Sequence, residues 1–270
     1  MRSMGLVAVV TITAGNAFAD PAGPPGLAQT SAPPPAAIVA SPLDDMAHAA
    51  GSERGLLLDT AMTVPAGSVD VGGRCCFEAG AVDAVAGLTS TTELSAEAGM
   101  LGLATTLAVG LKQVVAHGPR WRVAIEGGAR QINMFQTEFI NVAPTDPGAS
   151  QPNLTENLLG IGGVATGCID DRCRVVVTGG AQALVVLGTG QVAPLVWANV
   201  EVGAPRLRAI AEVANIGDTG MTGAGGTVYV VAGRGGWRRL MFEAGAVFLP
   251  GDYAGASTQT MPYVGVIARP

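Results

Sequence analysis

Charge, aromatic side chains and histidine are all scarce in this sequence: 13% of its 270 residues are charged, 4% are aromatic and two are histidine. With a formal net charge of -6 there is no overall basic surface, which excludes a general nucleic-acid role. The histidines are His48, in a Pro/Ala-rich stretch, and His117, in the turn-like run His117-Gly118-Pro119. Neither is placed to be held by packing beside a serine and an aspartate, so no hydrolytic triad and no enzyme is expected. The cysteines show no Cys-x-x-Cys spacing and no nearby histidine, so no metal is expected. Gly160-Ile161-Gly162-Gly163 superficially matches a dinucleotide fingerprint, but a turn, Cys168-Ile169-Asp170-Asp171, follows it rather than a helix. Its glycines read as close packing in a sheet, no Gly-Lys-Ser/Thr loop is present, and no cofactor is expected. Beyond the first residues no apolar run reaches the ~20 residues a spanning helix needs. Helix caps are nearly absent, which argues against a helical bundle.

What is present is dispersed apolarity: 49% hydrophobic residues and 39 glycines, with β-branched residues abundant. Arg2, an apolar core over 5–14 and Ala17-Phe18-Ala19 make residues 1–19 a signal peptide. Residues 20–54, with Pro33-Pro34-Pro35, show neither strand nor helix period and are expected to be a disordered periplasmic leader. Residues 55–270 are expected to form one β-domain. In an oxidising compartment Cys168 and Cys173, bracketing a turn, are a disulfide candidate. Cys75 and Cys76 are adjacent and point to opposite faces of a strand, so they read as free thiols.

From residue 55 onward, apolar and polar side chains alternate. Trp121, Val123, Ile125 and Ala129 oppose Arg122, Glu126 and Arg130; Leu207, Ala209, Ala211 and Val213 oppose Arg206, Arg208 and Glu212; Leu240, Phe242 and Ala244 oppose Arg239 and Glu243. Short turns flanked by arginine recur at Pro119-Arg120, Asp171-Arg172, Pro205-Arg206 and Gly236-Trp237-Arg238. Trp121 and Trp237 at the ends of apolar faces suit an interfacial girdle, and polar faces rich in Gly, Ala, Ser and Thr suit a crowded lumen. The fold class expected is all-β: an antiparallel transmembrane β-barrel of about twelve strands, or ten. Eleven strands are read from residue 68, and residues 56–64, turned by Pro65-Ala66-Gly67, are read as the twelfth. That count puts both ends of the chain and the arginine turns on the periplasmic side. The lumen-lining candidates are Glu93, Glu97, Lys112, Arg122, Glu126, Arg130, Glu201, Arg206, Arg208, Glu212, Arg239 and Glu243. With signs mixed, they either form an ion-pair network closing a narrow barrel or line a small pore. Asp146, Asn153, Asp218 and Asp252 offer oxygen ligands in long connections, but their spacing matches no calcium loop. The alternative is a secreted or periplasmic soluble β-sandwich acting as a binding protein, which would bury the faces assigned here to lipid.

The leader, the phrase Thr60-Ala61-Met62-Thr63-Val64-Pro65-Ala66-Gly67 and the closing strand Met261-Pro262-Tyr263-Val264-Gly265-Val266-Ile267-Ala268-Arg269 resemble the broad class of bacterial outer-membrane β-barrel proteins. The resemblance is one of pattern, over residues 56–270. It departs from the class where an aromatic residue usually ends the chain, here Ala268-Arg269-Pro270. It implies a place in the outer membrane of a Gram-negative cell, with membrane lipid and the barrel assembly machinery as partners, and a role as channel, receptor or structural barrel.

Overall fold

A computed structural model describes residues 43, 51, 54–56, 58–76, 79–101, 104–134, 154–217, 226–237, 239–249 and 259–270. All belong to one compact unit, Ala40–Pro270. The expected signal peptide and nearly all of the expected leader lie outside the described residues, as do Asp146, Asn153, Asp218 and Asp252.

The strands are β1 (Val69–Cys76), β2 (Ala79–Gly87), β3 (Thr92–Leu101), β4 (Ala104–Gly118), β5 (Trp121–Met134), β6 (Leu154–Cys168), β7 (Val175–Val186), β8 (Val192–Ala204), β9 (Leu207–Ile216), β10 (Gly226–Trp237), β11 (Leu240–Leu249) and β12 (Gln259–Ala268). Each pairs antiparallel with its neighbours in sequence, and β1 pairs with β12, so the sheet closes on itself and leaves no edge. One irregularity, between Val114 and Ala116, shifts the register of β4 against β5.

The expected total of twelve is the number found, but its composition needs a correction. Residues 56–64 are not a strand of the wall. The missing strand is β2, Ala79–Gly87, whose run Ala-Gly-Ala-Val-Asp-Ala-Val-Ala-Gly offers no contrast between its two faces.

The alternation is written into burial. Along β8, Ala193, Leu195, Trp197, Asn199 and Glu201 are buried while Val192, Val196, Val200 and Val202 are exposed. The exposed face of the barrel is a belt of apolar side chains, among them Val82, Leu107, Val109, Leu111, Ile125, Ile161, Val231 and Phe242. The charged side chains of the strands face the other way, into the lumen. Trp121 and Trp237 lie at strand ends on the exposed face, where a membrane interface places aromatics.

All the arginine turns lie at one end of the barrel, together with the start of β1 and the end of β12. Two of them share one construction. Gly203 (φ 140°) and Gly236 (φ 156°) stand just before the turns of β8–β9 and β10–β11, where an added Cβ would strike the carbonyl of Leu207 or Leu240 across the turn. At the β6–β7 turn Cys168 and Cys173 form a disulfide. There the Val175 N–H donates to Asp170 Oδ1 (2.9 Å) and that of Arg172 to Oδ2 (3.3 Å), which holds the Asp170 carboxyl below the ordinary carboxylate range.

Candidate functional site in the barrel lumen

The lumen is occupied by the chain itself. Pro65 to Ser68 form a turn at the arginine end, with Ser68 N donating to Pro65 O (2.9 Å) and Gly67 N to Gly87 O (2.8 Å). The described residues before this turn, 51, 54–56 and 58–64, fold back into the barrel as a strap. Gly87 is required where the strap crosses the mouth, because a Cβ there would collide with the carbonyl oxygens of Val64 and Pro65. Arg54 and Asp59 form an isolated antiparallel bridge, so the strap is a narrow hairpin whose far end is near residues 56–59. Among its described residues Gly51, Arg54, Gly55, Leu56 and Thr60 to Val64 are all buried, and so is Leu43.

Irregular backbone buried at membrane depth must find hydrogen-bond partners. The barrel wall supplies them. Glu93 Oε2 accepts the Val64 N–H (3.0 Å), Thr166 Oγ1 that of Ala61 (2.8 Å), Glu212 Oε2 that of Leu56 (2.8 Å) and Asp70 Oδ2 that of Gly51 (2.8 Å). In the other direction, Lys112 Nζ donates to Thr60 O (2.9 Å) and Trp197 Nε1 to Asp59 O (3.1 Å). Arg74 Nη1 and the Tyr263 hydroxyl both donate to Leu56 O, each at 3.1 Å. Arg234 reaches three strap carbonyls, Gly51 O (2.9 Å), Gly55 O (2.8 Å) and Arg54 O (3.3 Å). Arg54 itself pairs with Asp83, its guanidinium lying over Gly72, where a Cβ would overlap it.

The same wall residues are paired with one another, so the lumen holds opposite charges in close contact. Lys112 pairs with Glu93 (2.6 Å), Arg208 with Glu201 (3.4 Å), Arg234 with Glu243 (2.6 Å) and Arg269 with Asp70 (2.5 Å). Glu97 takes both Arg74 and, at 3.5 Å, Arg130. Apolar strap residues fill the gaps: Leu56 packs with Ile210, Val230, Val247 and Tyr263, Ala61 with Val114, Val164 and Trp197, and Met62 with Leu43, Cys173 and Val176.

Of the candidates read from the sequence, Glu93, Lys112, Glu201, Arg208, Glu212 and Glu243 are buried on the inner wall. Glu97, Arg122 and Glu126 are half-buried on inward positions, and Arg130 is the exposed partner of Glu97. Arg206 and Arg239 stand in hairpin turns just before β9 and β11, and both are exposed. Gly160 and Gly162 line the inner wall beneath Gln182, and a Cβ on either would come within 2.9 Å of its side chain. Cys75 is a free, exposed thiol.

Sequence reasoning missed Arg54, Asp70, Arg74, Asp83, Trp197, Arg234, Tyr263 and Arg269. Arg234 carries the only usable signal, since its register partner across the β10–β11 hairpin is Glu243.

No protein-family model matches the sequence, and no curated protein matches it. Solved structures do match the fold. A KdgM porin aligns with 74% of this chain and 98% of its own at 10% identity, with a TM-score of 0.52. A second structure, a KdgM porin in complex with disordered oligogalacturonate, aligns over the same shares at 10% identity and a TM-score of 0.50. The fold is that of an outer-membrane β-barrel. Closed antiparallel strands, an apolar outer belt with tryptophans at its rim and a polar interior are what a bilayer requires of a spanning sheet. The barrel shares its fold with these porins, and its outer belt is apolar as membrane lipid requires.

Proposed function

We propose that this outer-membrane barrel is a non-enzymatic channel held shut by its own N-terminal strap, with the arginine end facing the periplasm. The observation that carries the reading is the strap, which occupies the middle of the lumen and bonds to β1, β3, β4, β6, β8, β9, β10 and β12. A wall that needed only to be stable could pack apolar side chains across so narrow an interior. Instead it keeps paired charges that remain satisfied, with water, when the strap leaves, which is what a lumen that opens requires. The similar porin bound to oligogalacturonate suggests an acidic sugar chain as a permeant to weigh. The lumen argues against that here, since among the described residues its cations are matched by carboxylates and form no continuous basic track. Insertion by the barrel assembly machinery is part of the same proposal.

Planar-bilayer recording tests the closed channel. The mature chain is expected to conduct rarely. The doubly substituted Arg54→Ser, Leu56→Gly chain, with its strap loosened at one ion pair and one apolar contact, is expected to stay open at least tenfold longer. Equal and steady conductance in both would overturn the reading, provided both run as compact, heat-modifiable bands on gels.

A further inference from the structure

We propose that the inner wall is a binding site for a narrow polypeptide hairpin, which the strap occupies in cis; the inference rests on the strap being a plug. What distinguishes this wall from a surface that packs a particular loop is the part of the strap it holds. Glu93, Thr166 and Glu212 accept main-chain N–H groups at 2.8 to 3.0 Å, while Lys112, Trp197 and Arg234 donate to main-chain carbonyls. These groups occur in any polypeptide. Acceptors and donors stand on β3, β4, β6, β8, β9 and β10, so both amides and carbonyls of the enclosed hairpin meet partners. Recognition of a peptide through its main chain, with apolar pockets for a few side chains, is a recurring mode of peptide binding. Here the pockets are those that take Leu56, Ala61 and Met62. Access is from the arginine end, where the strap turns at the exposed residues Ala66 and Gly67. The ligand class is therefore a polypeptide hairpin with small or aliphatic side chains at the pocket positions.

The test folds the whole chain first and frees the strap afterwards. A protease site is inserted between Ala66 and Gly67, the barrel is folded in detergent and cut there, and a labelled synthetic peptide of residues 51–64 is added. Anisotropy is expected to report one peptide bound per cut barrel and none per uncut barrel. A peptide N-methylated at Leu56, Ala61 and Val64 loses the three N–H groups that Glu212, Thr166 and Glu93 accept. It is expected to bind roughly a hundredfold more weakly, the loss of three hydrogen bonds. A peptide with Leu58→Ile, which keeps every main-chain N–H and the side-chain volume, is expected to bind within about tenfold of the parent. Where the cut strap is not displaced, the Leu56→Gly chain cut in the same way releases it and gives the same comparison. Equal binding of the N-methylated peptide, or no peptide taken up by a barrel whose strap has left, would overturn the inference. The two readings fail separately: a cut barrel that conducts no more than an uncut one sinks the closed channel, whereas one that conducts yet takes up no peptide sinks only the peptide site.

Discussion

Arg234 gathers three carbonyls of the strap's main chain. Its Nε donates to Glu243 Oε1 at 2.7 Å, and its two terminal nitrogens divide the carbonyls of Gly51, Arg54 and Gly55 between them. Glu243 is held in turn by the Tyr263 hydroxyl at 2.5 Å. Arg234→Met would leave a buried carboxylate and strap carbonyls without a donor, a change expected to cost about 3–5 kcal/mol. Arg234→Lys keeps the charge but not the planar fork, and about 1–3 kcal/mol is expected. Urea unfolding in detergent micelles, followed by circular dichroism, measures both, and equal stability of the two variants would contradict the fork's role. How far this cluster could be read from the sequence depended on contrast between strand faces. Glu93, Lys112, Glu212 and Glu243 stand on strands whose other parity is apolar, so their side of the wall was legible. Asp70, Asp83 and Arg234 have small or apolar neighbours on both faces, which erases parity, and Arg54 and Asp59 belong to no strand at all.

Among the elements, the hairpins at the arginine end are held by local covalent and hydrogen-bonding devices as well as by the sheet. The disulfide between Cys168 and Cys173 has a sequence separation of 5, and a loop so short has little conformational freedom to lose. Replacing both cysteines by serine is therefore expected to lower stability by about 2 kcal/mol at most and to leave barrel closure intact. The check is the boiling shift on a gel, with and without reductant. Asp170 supports the same turn while ionised. Its folded-state pKa is depressed, so its contribution is present above the ordinary carboxylate value and is lost only as pH falls through the lowered one. The turn remains braced throughout the neutral range. The elements also show where period reading stops. Strands with an apolar and a charged parity, such as β5, β9 and β11, declare themselves, whereas β2, apart from Asp83, is Ala, Gly and Val on both sides and does not. The strap has the opposite defect. Its Leu-Asp-Thr-Ala-Met-Thr-Val run is strand-like in composition, and nothing in composition distinguishes a chain that pairs in the wall from one that the wall encloses.

For the whole molecule, the decisive physical quantity is what surrounds the outer belt. Val82 and Ile161 are 62% and 67% exposed and lie within β2 and β6, away from their ends, while Leu207, 71% exposed, begins β9 at the arginine end. In water such a belt would drive aggregation, and in a sandwich these side chains would be the core. In a bilayer they meet hydrocarbon, and the energy of a charge placed there depends on depth. Ile161→Arg, near the middle of its strand, is expected to destabilise the barrel in lipid vesicles by about 2–4 kcal/mol. Leu207→Arg, beside the Arg206 turn and at the level where a side chain can reach the headgroups, is expected to lie within about 1 kcal/mol of the parent. A soluble β-protein would respond differently, since a buried arginine would then be severe at both positions. Denaturant titration of the two variants, refolded side by side in vesicles, separates the cases: a steep depth dependence is the mark of a membrane solvent, and equal losses would remove the bilayer from around this barrel.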